Sequence, residues 1–383
     1  MRIHDAVNEA QTAPEIFMNA VVAQVARSGN LPYILSYAPV ASMNPFQRLL
    51  YSRAEKSNFA IVPTVRFSDL GRVNWRGRSI IHLHWLASIL NGATTANDAS
   101  VRIENFRQKL HQWKVTGHKV LWTMHNLLPH DSQFVDYEIV LRKILIDHTD
   151  AIHILSKQSV YESSRFFDIP VEKTFYIPHP SYEGWYPNVV DPVSARLDLG
   201  ISPGEFVFLQ FGSLQRYKGT IGLIHAFNEL KQSVRDKSLR LVIVGKPTDK
   251  DYLSEIQGLA EASINVTVIP SAMEDRDLQI LFNACDVVVA PYVATLNSGI
   301  ALLAATFGKA LVAPNISGIS EVFSEDSKLL YDIKDSGGLK SSMLKSLDFE
   351  FDNRRLRKTM ILRHPERISI EFFKSVKKSI FHK

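Results

Sequence analysis

Four stretches of this 383-residue chain carry side chains able to do chemistry. In FGSLQRYKG (211–219) an apolar run ends at Phe211, Gly212 permits a tight turn, and Arg216 and Lys218 follow before a helical pattern opens near Thr220. A basic strand-to-helix turn suits a diphosphate, whose oxygens take charge-assisted hydrogen bonds from cations and helix N–H groups. The alternative is a surface lysine beside a glycine with no ligand. In PYVATLNSGIALLAATFGKALVAP (291–314) a polar turn leads into an almost wholly apolar helix starting near Ile300. There the N–H groups of Ser298, Gly299 and Ile300 would present the positive end of a helix dipole to an anion. The alternative is a buried helix merely capped by Asn297 or Ser298.

The other two stretches are HLHW (82–85) and WTMHNLLPHD (122–131), both at the ends of strand-like runs. His82 and His84 share a face, since side chains two apart on a strand point the same way. His84 is a candidate for lining a cleft, and His82 reads equally well as structural. His125 is one of 13 histidines, and such a residue satisfies a core or turn hydrogen bond as readily as it reacts. Its place at a strand C-terminus favours a functional role. Asp131 lies close enough for a His–Asp pair, but no serine is signalled that would complete a triad. Asn126 beside it, and His179 further on, are further cleft-lining candidates; for His179 the alternative is hinge packing with Tyr182 and Tyr186. DRD (275–277) and DKD (249–251) match a metal-binding pattern but fall where helices or surface turns begin. No metal is assigned, and no cofactor is expected.

These residues need elements to hold them. Short apolar runs at 33–37, 59–62, 79–84, 119–123, 151–155 and 174–178 alternate with helical patterns in the first half. The second half repeats the theme at 206–211, 240–245, 265–269, 286–290 and 310–314. The runs are continuously apolar rather than alternating, as in strands covered on both faces. Strand–helix alternation implies parallel sheets and an α/β fold. Between them, 220–230 shows one apolar helical face with Thr220 as the expected N-cap. The segment 179–205 carries four prolines and three glycines and separates the two series, so a linker is expected at about 181–200. Two Rossmann-like halves facing each other across a cleft would bring the carboxyl ends of both sheets to the site.

Composition narrows the class. The chain is 45% hydrophobic and 22% charged, ordinary for a globular protein. Its single Cys285 excludes an internal disulfide and a cysteine-rich zinc site. The apolar stretch 17–26 is short and interrupted, so it does not read as a secretory leader, and no run of 18 apolar residues spans a membrane. A cytoplasmic protein is expected. Ten Lys/Arg against two acids between 353 and 383 exceed the whole net charge of +5. That tail is either a solvated helix face or a peripheral contact with anionic membrane. No basic stripe interleaved with aromatics points to nucleic acid.

Taken in order and spacing, FGSLQRYKG, LVIVGKP (241–247), LFNACDVVVAPY (281–292) and NSGIALLAATFGKALVAP (297–314) resemble GT-B glycosyltransferases of the family 4 type. HLHW, TMHNLLPH and NPFQRLLY (45–52) resemble the bacterial exopolysaccharide-type members. The resemblance implies an acceptor-side domain at 1–185, a nucleotide-sugar domain at 186–360 and a C-terminal helix at 361–383 that returns to the first domain. It implies that Gly212, Arg216, Lys218, Ser298, Gly299 and Ile300 hold the donor diphosphate, and that His125 faces the donor sugar. It also implies two glutamates eight positions apart, where this chain has Leu296 and Ala304. Thr295, Asn297 and Ser298 are candidates to replace their bonds to donor sugar and ribose.

The function expected is transfer of a sugar from a nucleotide-sugar donor to a saccharide or lipid-linked acceptor. The main task is to stabilise the departing diphosphate. If the anomeric centre inverts, Asp131 or His125 would take the acceptor proton; if it is retained, a donor phosphate oxygen serves and His125 orients the sugar. The alternatives are a non-catalytic GT-B sugar-binding or partner-activating subunit, motivated by the missing glutamates, and a nucleotide-sugar epimerase.

Overall fold

The computed structural model describes residues 13–41, 44–64, 67–71, 75, 78–129, 132–293, 296–323 and 328–382. The chain divides into two compact units, Met1–Pro180 with Arg363–Lys383, and Ser181–Leu362.

The first unit is built on six parallel strands, β1 (Tyr33–Ala38), β2 (Phe59–Pro63), β3 (Ser79–Leu83), β4 (Lys119–Met124), β5 (Ala151–Ile154) and β6 (Thr174–Tyr176). Their order is β2-β1-β3-β4-β5-β6. The register aligns Tyr37 with His82, His82 with Leu121, Leu121 with Ala151 and Thr123 with His153. Period two then puts Leu35, Tyr37, Ile80, His82, Leu121, Thr123, Ala151 and His153 on one face of the sheet.

That face is covered partly by the last helix of the chain, Pro365–Phe381, which opens with proline at its first turn. Its Ile368, Phe372, Phe373, Val376 and Ile380 recur at helical spacing and pack with Leu35, Tyr37, Phe46, Tyr51 and Phe59 in a single core. Phe372 and Phe373 are completely buried, each contributing about 2–3 kcal/mol of transfer free energy. The helix is tied at its edge by Ser369, whose Oγ accepts from the Arg53 N–H at 2.9 Å, and by Glu366 paired with Lys56 and Arg53.

The second unit repeats the plan with β7 (Phe206–Phe211), β8 (Leu239–Val244), β9 (Val266–Ile269), β10 (Val287–Val289), β11 (Ala310–Pro314) and β12 (Leu330–Tyr331). All pairs are parallel, in the order β12-β11-β10-β7-β8-β9. The helix Thr220–Ser233 buries Leu223, Ile224, Phe227 and Leu230 against Phe208, Leu241 and Ile243. Its N-cap is Gly219 at φ 71°, not Thr220, which is the first helical residue. A left-handed cap wants glycine, and a side-chain cap is replaced by the turn itself. The two-residue β12 lies below the length that an apolar run can signal. The DKD triplet has a structural use: Asp249 caps the helix Lys250–Glu261 by accepting from Asp251 and Tyr252 N–H.

No helix among the described residues is long and apolar enough to cross a membrane.

Candidate functional site

Each unit gathers polar residues where its strands end. In the second unit, β7 stops at Phe211 and Gly212 turns at φ 124°. The neighbouring strand end approaches so closely that a Cβ on Gly245 would lie 1.7 Å from the Gly212 carbonyl oxygen. The chain then forms a short 3-10 turn, Arg216–Lys218, and leaves through Gly219. A Cβ on Gly219 would lie 2.2 Å from the Pro291 carbonyl oxygen, so this glycine lets the turn nest against the loop after β10. The Val293 N–H donates to the Tyr217 carbonyl at 3.0 Å and joins the two loops, while Gln210 Nε2 holds the Lys218 carbonyl at 3.1 Å.

Lys218 is thereby fixed. Its Nζ donates to Tyr292 Oη at 2.8 Å and lies 4.2 Å from the centre of that ring. Burial pulls its pKa down and pushes the Tyr292 phenol up, so the tyrosine stays a neutral partner. The helix Gly299–Thr306 begins nearby in the fold of the loop. Ser298 Oγ caps it by accepting from Ala301 N–H at 3.2 Å, and the first N–H groups, at Gly299 and Ile300, lie outside the helical ladder. Tyr182 Oη would be 3.0 Å from a Cβ on Gly299, so a side chain there would displace the hydroxyl.

Arg216 is not drawn into this arrangement. It is exposed, stacks 4.8 Å over Tyr252, and faces Glu255 at 3.4 Å and Asp249 at 3.7 Å. Leu296 and Ala304, which stand in the glutamate positions, are buried apolar residues and supply no hydrogen bonds. Ser298 Oγ is engaged as the helix cap. Asn297 is half-buried in the turn, and Thr295 lies outside the described residues.

In the first unit the strand ends converge on a buried polar seam. Tyr51 Oη is 2.7 Å from both His82 Nδ1 and His84 Nε2. His82 Nε2 is 2.7 Å from Thr123 Oγ1, which is 2.9 Å from His153 Nδ1. His153 Nε2 donates to the Ile177 carbonyl at 2.8 Å. On the other side His84 Nδ1 is 3.0 Å from His125 Nε2. Phe372 stacks on His82 at 5.6 Å, and Trp85 on His125 at 4.1 Å. Burial dominates the electrostatics and disfavours the imidazolium at each ring: His82, His84 and His125 are held well below the ordinary range, and His153 falls to about 4. His179 also falls to about 4 through burial; its Nδ1 is 2.7 Å from the Pro180 carbonyl and its ring is 4.8 Å from Phe46.

His84, Trp85, Trp122, His125, Asn126 and Arg142 contribute to the walls of a small, partly open pocket. Arg142, on the helix Val135–His148, is almost wholly buried and pairs with Glu138 one turn earlier at 2.5 Å. Its Nε donates to the Leu127 carbonyl, so the pair clamps the loop that follows His125.

The structure thus brings His84, His125 and Asn126 together around one cavity, and groups Lys218 with the Gly212 turn. Asp131, the other candidate base, lies outside the described residues. Sequence reasoning passed over Tyr51, Thr123, His153, Arg142 and Tyr292. The Glu138–Arg142 pair did leave a signal: opposite charges four apart on the stripe Glu138, Leu141, Arg142, Leu145 that is otherwise apolar. Tyr51 and Thr123 left none, because a lone hydroxyl in an apolar run does not announce its partner.

Residues 195–361 match the family model of glycosyl transferases group 1. The GDP-mannose:glycolipid 4-beta-D-mannosyltransferase of Xanthomonas campestris pv. campestris is 26% identical over 314 residues, 80% of each chain. A D-inositol 3-phosphate glycosyltransferase of Pseudarthrobacter chlorophenolicus is 36% identical over 141 residues, 36% of this chain and 33% of that one. Among solved structures, sucrose-phosphate synthase of Thermosynechococcus elongatus superposes with a TM-score of 0.68 at 16% identity, over 91% of this chain and 99% of that one. Anabaena HepE, solved with UDP and glucose, gives 0.64 at 14% identity over 90% and 99%. With two parallel six-stranded sheets, the Gly212–Lys218 turn at the end of β7 and the match of residues 195–361 to the group 1 model, the chain is a glycosyltransferase of the GT-B fold.

Proposed function

We propose that this glycosyltransferase moves a hexose, mannose from GDP-mannose, onto a glycolipid acceptor. The observation that carries the donor class is the seating of Lys218 on Tyr292 between two loops pinned by Gly219. A cation fixed against a neutral hydroxyl is preorganised for the charge that grows on a departing diphosphate. The N–H groups of Gly299 and Ile300 add the positive end of a helix dipole. The narrower choice of GDP-mannose and a glycolipid rests on the Xanthomonas relative.

In this reading the bond between the anomeric carbon and the diphosphate breaks while the acceptor hydroxyl forms the new glycosidic bond and loses its proton. Lys218 receives the leaving group's charge, and His125 meets a sugar hydroxyl. Asp131 stays a candidate for the base. Arg216 reaches the diphosphate only by leaving Glu255 and Asp249. No resident metal or cofactor is required, because protein groups neutralise the leaving group. Work at the inner face of the membrane, in exopolysaccharide assembly, belongs to the same proposal and is supported by basic Arg354, Arg355, Arg357 and Lys358 on the helix Asn353–Leu362.

The test is transfer of labelled sugar to the organic phase from GDP-mannose, UDP-glucose and UDP-galactose, with a bacterial glycolipid extract as acceptor. Label from GDP-mannose alone, lost in Lys218→Ala, is the expected outcome. Transfer from a uridine donor only would overturn the donor assignment, and transfer to soluble sugars alone would overturn the acceptor.

A further inference from the structure

Six hydrogen bonds run end to end through the first unit, and the group at one end sets the direction of all of them. The Ile177 carbonyl can only accept, so His153 carries its proton on Nε2. Burial keeps the rings of this seam neutral, which leaves each with one donor and one acceptor. His153 Nδ1 must therefore accept, and Thr123 gives it its only hydroxyl proton. Thr123 Oγ1 then has only a lone pair for His82, so His82 donates from Nε2. His82 Nδ1 accepts in turn from Tyr51 Oη. With its proton committed, Tyr51 accepts from His84 Nε2. His84 Nδ1 accepts from His125 Nε2.

We infer that Tyr51, His82, His84, Thr123 and His153 form a tautomer lock, which holds His125 with its proton on Nε2 and Nδ1 as a hydrogen-bond acceptor. A ligand meeting His125 at Nδ1 has to bring a donor, hence a sugar hydroxyl and not a phosphate oxygen. The lock orients and does not conduct. Its inner end is a backbone carbonyl that cannot take up a proton, so a proton reaching Nδ1 has no exit along it. The lock stands on hydrogen-bond geometry and on burial, and only the nature of the hydroxyl rests on the proposed transferase reaction. The five residues are positioning residues, since they act through His125.

Nitrogen-15 correlation spectra of ligand-free, histidine-labelled protein at neutral pH test this directly. All four rings, His82, His84, His125 and His153, are expected in the Nε2–H form, with no admixture at His125. Tyr51→Phe cuts the lock between His82 and His84, and the Nδ1–H form of His125 should then appear. The value of kcat should fall to the fraction of His125 left in the Nε2–H form, with KM for the donor unchanged. Thr123→Val should act likewise, and Thr123→Ser should restore the wild-type pattern; this series serves if Tyr51→Phe does not fold. A protonated Nδ1 on His125 in the wild type, or an unmixed ring in both Tyr51→Phe and Thr123→Val, overturns the lock. A locked His125 in a protein that transfers no sugar would overturn the proposed reaction and leave the lock standing.

Discussion

Lowering the pH from 7 to 5 loads protons onto histidines of the unfolded first unit that its folded form refuses. His153 and His179 fall from an ordinary 6.5 to about 4 because they are buried. Above 6.5 both states are neutral and nothing is lost. Between 6.5 and 4 the unfolded chain binds the extra proton, so stability declines as pH falls, and below 4 the loss levels off. For a ring lowered to about 4, the step from pH 7 to 5 removes about 2 kcal/mol, or about 4 kcal/mol for the pair. His82, His84 and His125 shift the same way and add to it. Glu366 does not confuse the window, since Lys56 and Arg53 hold its carboxyl at about 2. Urea unfolding followed by tryptophan fluorescence reads this unit well, because Trp85, Trp113 and Trp122 lie within it. With a slope of about 2 kcal/mol per molar urea, the midpoint should drop by about 2 M between pH 7 and 5. A drop below about 0.5 M would refute the reasoning: the rings would then be hydrated or already charged.

Lys218→Ala should abolish the thermal stabilisation by nucleoside diphosphates seen in a melting scan, while its melting temperature without ligand changes little. Gly219→Ala forces a Cβ to within 2.2 Å of the Pro291 carbonyl and should cost about 2–3 kcal/mol in urea unfolding. Arg142→Met strands a buried carboxylate and should cost about 3–5 kcal/mol, whereas the double change Glu138→Leu with Arg142→Met should recover most of it. Phe372→Ala should lose about 3–5 kcal/mol, measured on the same unfolding curve.

How far the fold could be read from sequence depends on the kind of signal. Strands such as 206–211 and 310–314 declare themselves because a parallel strand covered on both faces is continuously apolar. The Gly212–Lys218 turn is legible for a similar reason: glycine and cation sit at a strand end, and chain order alone makes them neighbours. The histidine seam is different. Its members come from residues 51 to 153, and only strand register brings Thr123 beside His153. His82 and His84 suggested a shared face, yet nothing in their spacing reveals that both share Tyr51. Arg216 shows the converse. Adjacency in sequence put it beside Lys218, but the cap at Asp249 and the next helix place carboxylates within its reach.

The closing helix of the first unit is encoded after the whole of the second. Until residues 363–383 emerge from the ribosome, the sheet face bearing His82, Thr123 and His153 lacks the phenylalanines that seal it. The second unit is contiguous and can mature during that wait, whereas the first stays open to water and to chaperones. Order of synthesis therefore dries the histidine seam only after the second unit has been made. Removal of the last twenty residues would be felt there, far from the truncation in sequence.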